Sequence, residues 1–136
     1  MLIEGTCTSG GGFLRRGCGA PPIGQCVYCG SPFCVDHGEL GVDYHEVCSR
    51  TSCRRRYADV QSHRSWVEAR APRNETAMCA EDTCMDRMEH QCQRCRLRFC
   101  DAHVRASDIV DRRQEPPQKM RLLMCAHCIE RRRLWD

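Results

Sequence analysis

The sequence predicts a small α+β protein of two tandem modules, each a short hairpin plus a helix, held by staples more than by an apolar core. Three observations predict it. The twelve residues from Cys26 to His37 return as Cys92 to His103, and both copies read C-x2-C-x4-C-x2-H with a Phe, Phe33 or Phe99, directly before the third Cys. Aromatic residues make up 6% of the 136-residue chain and the mean hydropathy is -0.59, so neither half can build a large apolar core. The chain carries 14 Cys, enough to staple both halves.

Taken in order, Cys7 and Cys18 flank a Gly-rich loop, Ser9 to Gly12, followed by Phe13 and Leu14. Glycine there lets the chain loop back without helical or strand regularity. After His37, the imperfect alternation through Val42, Tyr44 and Val47 predicts a small hairpin ending at Cys48. Arg54 to Ala69 has no Gly or Pro and places Tyr57, Val60, Arg64 and Val67 near helical spacing, which predicts a helix beginning around Cys53. Pro72, Arg73 and Asn74 mark the expected helix end and linker, so the modules are expected at 1–72 and 73–136.

The second half repeats that order. Cys79 and Cys84 correspond to Cys7 and Cys18, the core motif begins at Cys92, and the closing pair is Cys125-x2-Cys128. Val104 to Val110 and Lys119 to Met124 read as strands around a polar loop containing Pro116 and Pro117, and Ile129 to Trp135 reads as a closing helix. This order of knuckle, hairpin and Cys-bearing helix start is that of a treble-clef-like zinc fold.

Paired C-x2-C and C-x2-H spacing is that of structural zinc, and a disulfide framework is the competing reading of an even cysteine count. Met1 to Gly5 shows neither a charged n-region nor an apolar h-region, and no run of 18 apolar residues occurs. The expectation is therefore a cytoplasmic protein with reduced thiols, bound zinc and no membrane partner. Every Cys is consumed: with His37 and His103, each half supplies eight ligands, enough for two tetrahedral ions.

Only four residues separate Cys29 from Cys34, so placing both adjacent pairs on one ion would cramp the loop. Alternate pairing lets the chain cross between two ions. The expected cross-brace puts Cys7, Cys18, Cys34 and His37 on one zinc and Cys26, Cys29, Cys48 and Cys53 on another. In the second half the sets are Cys79, Cys84, Cys100, His103 and Cys92, Cys95, Cys125, Cys128. His45, three residues before Cys48, is an alternative donor to it. Closed coordination makes the four zincs structural, not hydrolytic, and no catalytic residue is expected.

The segments Cys26 to His37 and Cys92 to His103 resemble the centre of B-box zinc fingers, the relatives of RING fingers in tripartite-motif ubiquitin ligases. The closing ligands differ, since B-boxes usually end on His where this chain has Cys48, Cys53, Cys125 and Cys128. The RING centre C-x-H-x2-C and the FYVE signature Arg-His-His-Cys are both absent. The resemblance implies a protein-interaction module or adaptor, in its sharpest form a ubiquitin-type ligase that holds a conjugating enzyme in a reactive pose without catalytic side chains of its own.

Phe13 and Leu14 are the candidate partner-binding residues, because an apolar pair on a Gly-rich loop has little other use. Trp66 and Ile129 are read as packing residues, and His63, His90 and His127 as surface residues or residues beside the metal. The alternative function is nucleic-acid binding through Arg54 to Arg56, Arg94, Arg96, Arg98, Arg112 and Arg113, and Arg131 to Arg133. Against it, acidic residues are interleaved. Fourteen thiolates offset by four divalent ions also turn the formal charge of +3 into about -3.

Overall fold

The computed structural model describes residues 4–10, 17–41 and 45–135. By packing, the chain divides into two compact units, Met1–Gln61 and Ser62–Asp136. Phe13 and Leu14 lie outside the described residues, as do Val42 and Tyr44 of the first hairpin.

The first unit holds two small antiparallel sheets. β1 (Gly24–Gln25) pairs with β2 (Pro32–Phe33), and β3 (Gly38–Leu40) pairs with β4 (Glu46–Cys48). The helix α1 (Thr51–Glu75) begins in this unit and buries Cys53 in its first turn. Phe33, 1% exposed, fills the centre with Val47, Cys26, Cys48 and Cys53, and Tyr28 and Tyr57 pack against them. Glycine at 38 makes room for that ring: a Cβ there would stand 2.2 Å from Phe33 Cδ2.

The second unit repeats the scheme and enlarges it. β5 (His90–Gln91) pairs with β6 (Arg98–Phe99), in the same register as β1 with β2. A 3-10 turn, Asp101–His103, leads into β7 (Val104–Asp111), which pairs along its whole length with β8 (Gln118–Cys125). The helix α2 (Ala126–Glu130) follows directly. Phe99 is fully buried among cysteines, Leu97 and Met124, with Trp66, Val67 and Ala71 of α1 packed against the cluster.

Two expectations are corrected. Pro72, Arg73 and Asn74 neither end α1 nor form a linker; α1 runs through them to Glu75. The last turns are tied to the second unit's own main chain. Arg70 donates to the Ala80 carbonyl, Arg73 to those of Cys79 and Cys84, and Asn74 to those of Met78 and Arg98 while accepting from the Arg98 N–H. Six such bonds outweigh the single helical hydrogen bond that Pro72 cannot make.

The closing helix is also shorter and earlier than Ile129 to Trp135. α2 starts at Ala126 because Cys125 is its N-cap, and it stops where Arg131 leaves helical geometry at φ -111°, ψ 45°. A separate 3-10 turn, Arg132–Trp135, then brings Trp135 against the second core.

Candidate metal centres

Each C-x2-C pair is set by a knuckle turn at the end of a two-residue hairpin. In the first, the Cys26 N–H donates to the Ser31 carbonyl at 2.9 Å and the Gly30 N–H to the Cys26 carbonyl at 2.9 Å. The second reproduces both bonds, from Cys92 to Leu97 at 2.9 Å and from Arg96 to Cys92 at 3.0 Å. The turn needs a left-handed residue, which is Gly30 at φ 74° in one knuckle and Arg96 at φ 68° in the other. C-x2-H is a single turn in both copies, closed by His37 N–H to Cys34 C=O and His103 N–H to Cys100 C=O, each 3.1 Å.

The wide spacing of Cys7 and Cys18 is bridged by the main chain. Cys7 donates to Ala20, Gly19 to Cys7 and Cys18 to Ser9, at 3.0–3.1 Å, so the loop between them leaves and returns at one place. In the second unit the bond from Cys79 to Asp86, 2.9 Å, and the bridge between Met78 and Arg87 close a shorter loop around Cys84. The closing pairs come from strand ends and helix starts: Cys48 ends β4 and Cys53 lies in the first turn of α1, while Cys125 ends β8 and Cys128 lies in the first turn of α2.

The sixteen side chains converge in four groups: Cys7, Cys18, Cys34, His37; Cys26, Cys29, Cys48, Cys53; Cys79, Cys84, Cys100, His103; and Cys92, Cys95, Cys125, Cys128. Within each group all donor atoms lie within 4.8 Å of one another. His45 belongs to none of them; its ring lies 6.0 Å from that of Tyr57. The described cysteines are all free thiols.

The donor spacing discriminates between a metal and a disulfide. A tetrahedral ion with Zn–S of about 2.3 Å and Zn–N of about 2.0 Å requires S···S edges of about 3.8 Å and S···N edges of about 3.5 Å. The structure has S···S separations of 3.8 Å (Cys18, Cys34), 3.7 Å (Cys29, Cys48), 3.9 Å (Cys84, Cys100) and 3.9 Å (Cys95, Cys125). His37 Nδ1 lies 3.5 and 3.3 Å from the sulfurs of Cys7 and Cys34, and His103 Nδ1 lies 3.6 and 3.1 Å from those of Cys79 and Cys100. A disulfide would need about 2.05 Å. Each of the four groups could hold a metal ion, and soft sulfur with imidazole nitrogen is the donor set of zinc.

Charge makes the same point. Burial opposes ionisation throughout and holds the thiols of Cys53 and Cys100 up at about 12 and about 11. At Cys29 burial is outweighed by hydrogen bonds from Ser31, which bring the thiol down to about 6. In the all-cysteine group of the second unit, hydrogen bonds from Cys125, Cys128 and Cys95 favour ionisation of Cys92, while Cys125 and Cys92 hold Cys128 protonated. Four clustered thiols thus ionise unequally, and only a central cation would let all of them carry charge.

Further donors steady the sulfurs. Arg50 Nη1 reaches Cys29 Sγ at 3.2 Å, and the Glu81 and Cys125 N–H groups reach Cys79 Sγ at 3.5 Å and Cys92 Sγ at 3.4 Å. Nothing in the spacing pattern marks Arg50 for this role, since its guanidinium reaches Cys29 across 21 residues of sequence. Glu89, His90 and Asp101 form a further group, with His90 Nε2 3.0 Å from Asp101 Oδ1, but its carboxylates are exposed and it has no counterpart in the first unit. Among the described residues, no helix is long and apolar enough to cross a membrane. No family model matches the chain, and neither a curated protein nor a solved structure matches it.

Proposed function

We propose that the chain is a protein-interaction module built on four structural zinc ions, two per unit, arranged as tandem cross-brace fingers of the treble-clef kind and similar to B-box and RING modules. The observation that carries this reading is the complete use of cysteine: all fourteen lie in closed four-donor groups with His37 and His103. A closed site leaves no position for substrate or water, so the metal supplies folding energy and the surface supplies function. The sharpest form of this function is a scaffold for a ubiquitin-type conjugating enzyme.

Several arginines that suggest nucleic acid are spent within the fold. Arg54 pairs with Glu39 at 3.3 Å, Arg131 with Glu130 at 3.7 Å, and Arg56 lies 5.6 Å over the Tyr28 ring. Such pairing weakens a phosphate-binding reading, because affinity for a polyanion rests on unneutralised cations.

The test has two stages. Native mass spectrometry of the purified chain is expected to show four zinc ions, and their removal by a strong chelator is expected to abolish the folded state. A chain that keeps its fold with zinc fully removed would sink the proposal. Affinity capture with the zinc-loaded chain, followed by discharge of any captured conjugating enzyme, then tests the scaffold role; capture of nucleic acid in place of protein would overturn it.

A further inference from the structure

Among the described residues, the two units differ in the hairpin that leads to the last cysteine pair. In the first, β3 and β4 make three register pairs, beginning at Gly38 opposite Cys48. In the second, β7 and β8 make eight, beginning at Val104 opposite Cys125. The metal group needs only the base of the hairpin, so the remaining five pairs, Ser107 to Asp111 with Gln118 to Leu122, serve something else.

The outer edge of β8 is open along that extension. At the base, the N–H of Cys125 points away from β7 toward Cys92 Sγ, and Leu123 exchanges two bonds with Gln93: its carbonyl accepts from the Gln93 N–H at 2.9 Å and its N–H donates to Gln93 Oε1 at 2.6 Å. Gln93 thus occupies the place of a third strand for one residue. By the alternation of an antiparallel pair, the N–H and C=O groups of Arg121 and Lys119 face the same way, and among the described residues they have no hydrogen-bond partner.

Arg94, the next residue after Gln93, lines a groove of about 250 Å³ to which Met120 and Leu122 of β8 also contribute. Its floor is Ile109, Met120, Leu122 and Trp135, and Arg112 and Arg113 stand on its rim. Met120 is 39% exposed.

We infer that β8 accepts an extended acidic segment of a partner protein, which adds a strand along Lys119 and Arg121 and lodges one large apolar side chain between Met120 and Trp135. This rests on the interaction-module reading and locates its surface. An exposed edge strand is a template for β-strand addition, with main-chain bonds giving affinity and a side-chain pocket giving specificity. The charge of the edge selects the occupant. A second copy pairing β8 to β8 would oppose its own Lys119 and Arg121, whereas an acidic strand neutralises them. A nucleic acid fits less well: the groove floor is aliphatic apart from Trp135, which already carries Arg94 at 5.6 Å and so has less face to offer a stacked base.

The test is phage selection of a random twelve-residue peptide library on the immobilised zinc-loaded full chain, with a twenty-residue oligothymidine titrated in parallel. Selected peptides are expected to carry Asp or Glu around one Leu, Ile, Phe or Trp, and to slow amide exchange at Lys119 and Arg121. Arg121→Pro removes an outward N–H but no bond to β7, and should weaken binding at least tenfold; Arg121→Lys should restore it, and Lys119→Glu with Arg121→Glu should abolish it. Zinc content confirms that each variant is folded. Peptides indifferent to these variants would overturn the β8 site while leaving the interaction reading intact. An empty selection, or oligothymidine binding with the same sensitivity in place of peptide, would also overturn the β8 site. Only failure of protein capture as well would sink both.

Discussion

The indole of Trp66 and the imidazole of His127 lie face to face, their centroids 3.7 Å apart and their planes 3° from parallel. His127 Nε2 is 2.9 Å from His63 Nδ1, and the edge of Trp135 closes on His63 at 5.2 Å. His127 stands between Cys125 and Cys128, so this stack clamps α1 to the turn that carries the last four-cysteine group. Its rings pack without donating to a metal group. Trp66→Ala is expected to destabilise the second unit by about 2 kcal/mol through lost burial and stacking. The measurement is chemical denaturation at saturating zinc, with loss of the upfield ring-current shift on the His127 ring protons as the local signature.

The crossover makes a separable claim about two neighbours in sequence. Cys29 and Cys34 are five residues apart but belong to different groups, one of four sulfurs and one of three sulfurs and a nitrogen. In cobalt-substituted protein, Cys29→Ser should perturb the spectrum of a four-sulfur site and Cys34→Ser that of a three-sulfur, one-nitrogen site, each leaving the other site in its unit filled. If both substitutions altered the same site, the cross-brace would be wrong.

How much of this was legible in the sequence depended on whether a feature is local. The knuckle hairpins were legible because Cys26 to His37 and Cys92 to His103 fix their own turns, and the convergence of Cys18 with Cys34 followed from short connections and a complete count of cysteines. The end of α1 was not. Pro72 is a local breaker, but the carbonyls that hold Arg70, Arg73 and Asn74 come from Cys79, Ala80, Cys84 and Arg98, which no pattern inside the helix reports. The ring stack of Trp66 with His127 spans 61 residues and was equally hidden, and so was the outer edge of β8, beside which the described residues place no further strand.

Arg96 offers a test of backbone cost at a matched pair of turns. It holds φ 68° where the first knuckle has Gly30 at φ 74°, and its side chain is exposed. A left-handed conformation costs a non-glycine residue about 1 kcal/mol, so Arg96→Gly should stabilise the second unit by about that amount. Gly30→Ala should destabilise the first by a similar amount, although a Cβ at Gly30 meets nothing within 4 Å. Thermal unfolding of the two variants, compared at equal zinc occupancy, measures both signs; a loss of stability in Arg96→Gly would show that its guanidinium contributes more than its backbone costs.

Gly38 is constrained for the opposite reason, space in place of torsion. A Cβ there would meet Phe33 Cδ2, Cγ and Cε2 at 2.2, 2.5 and 2.6 Å, the ring is 1% exposed, and a Cβ added at Gly24 would likewise stand 2.7 Å from Cζ at its other end. The second unit carries Val104 opposite Cys125 in the matching register, so the position tolerates a side chain where the surrounding residues differ. In the first unit the ring cannot retreat without moving Cys34, its sequence neighbour and a member of the three-sulfur group. Gly38→Ala should therefore cost about 2 kcal/mol of overpacking and also weaken metal affinity at that group, whereas Val104→Ala should leave a small cavity and no change in affinity. Competition with a chromogenic zinc chelator measures the affinity term. If Gly38→Ala lowered stability but released zinc no more readily than the parent chain, the mechanical link from Phe33 to Cys34 would be refuted.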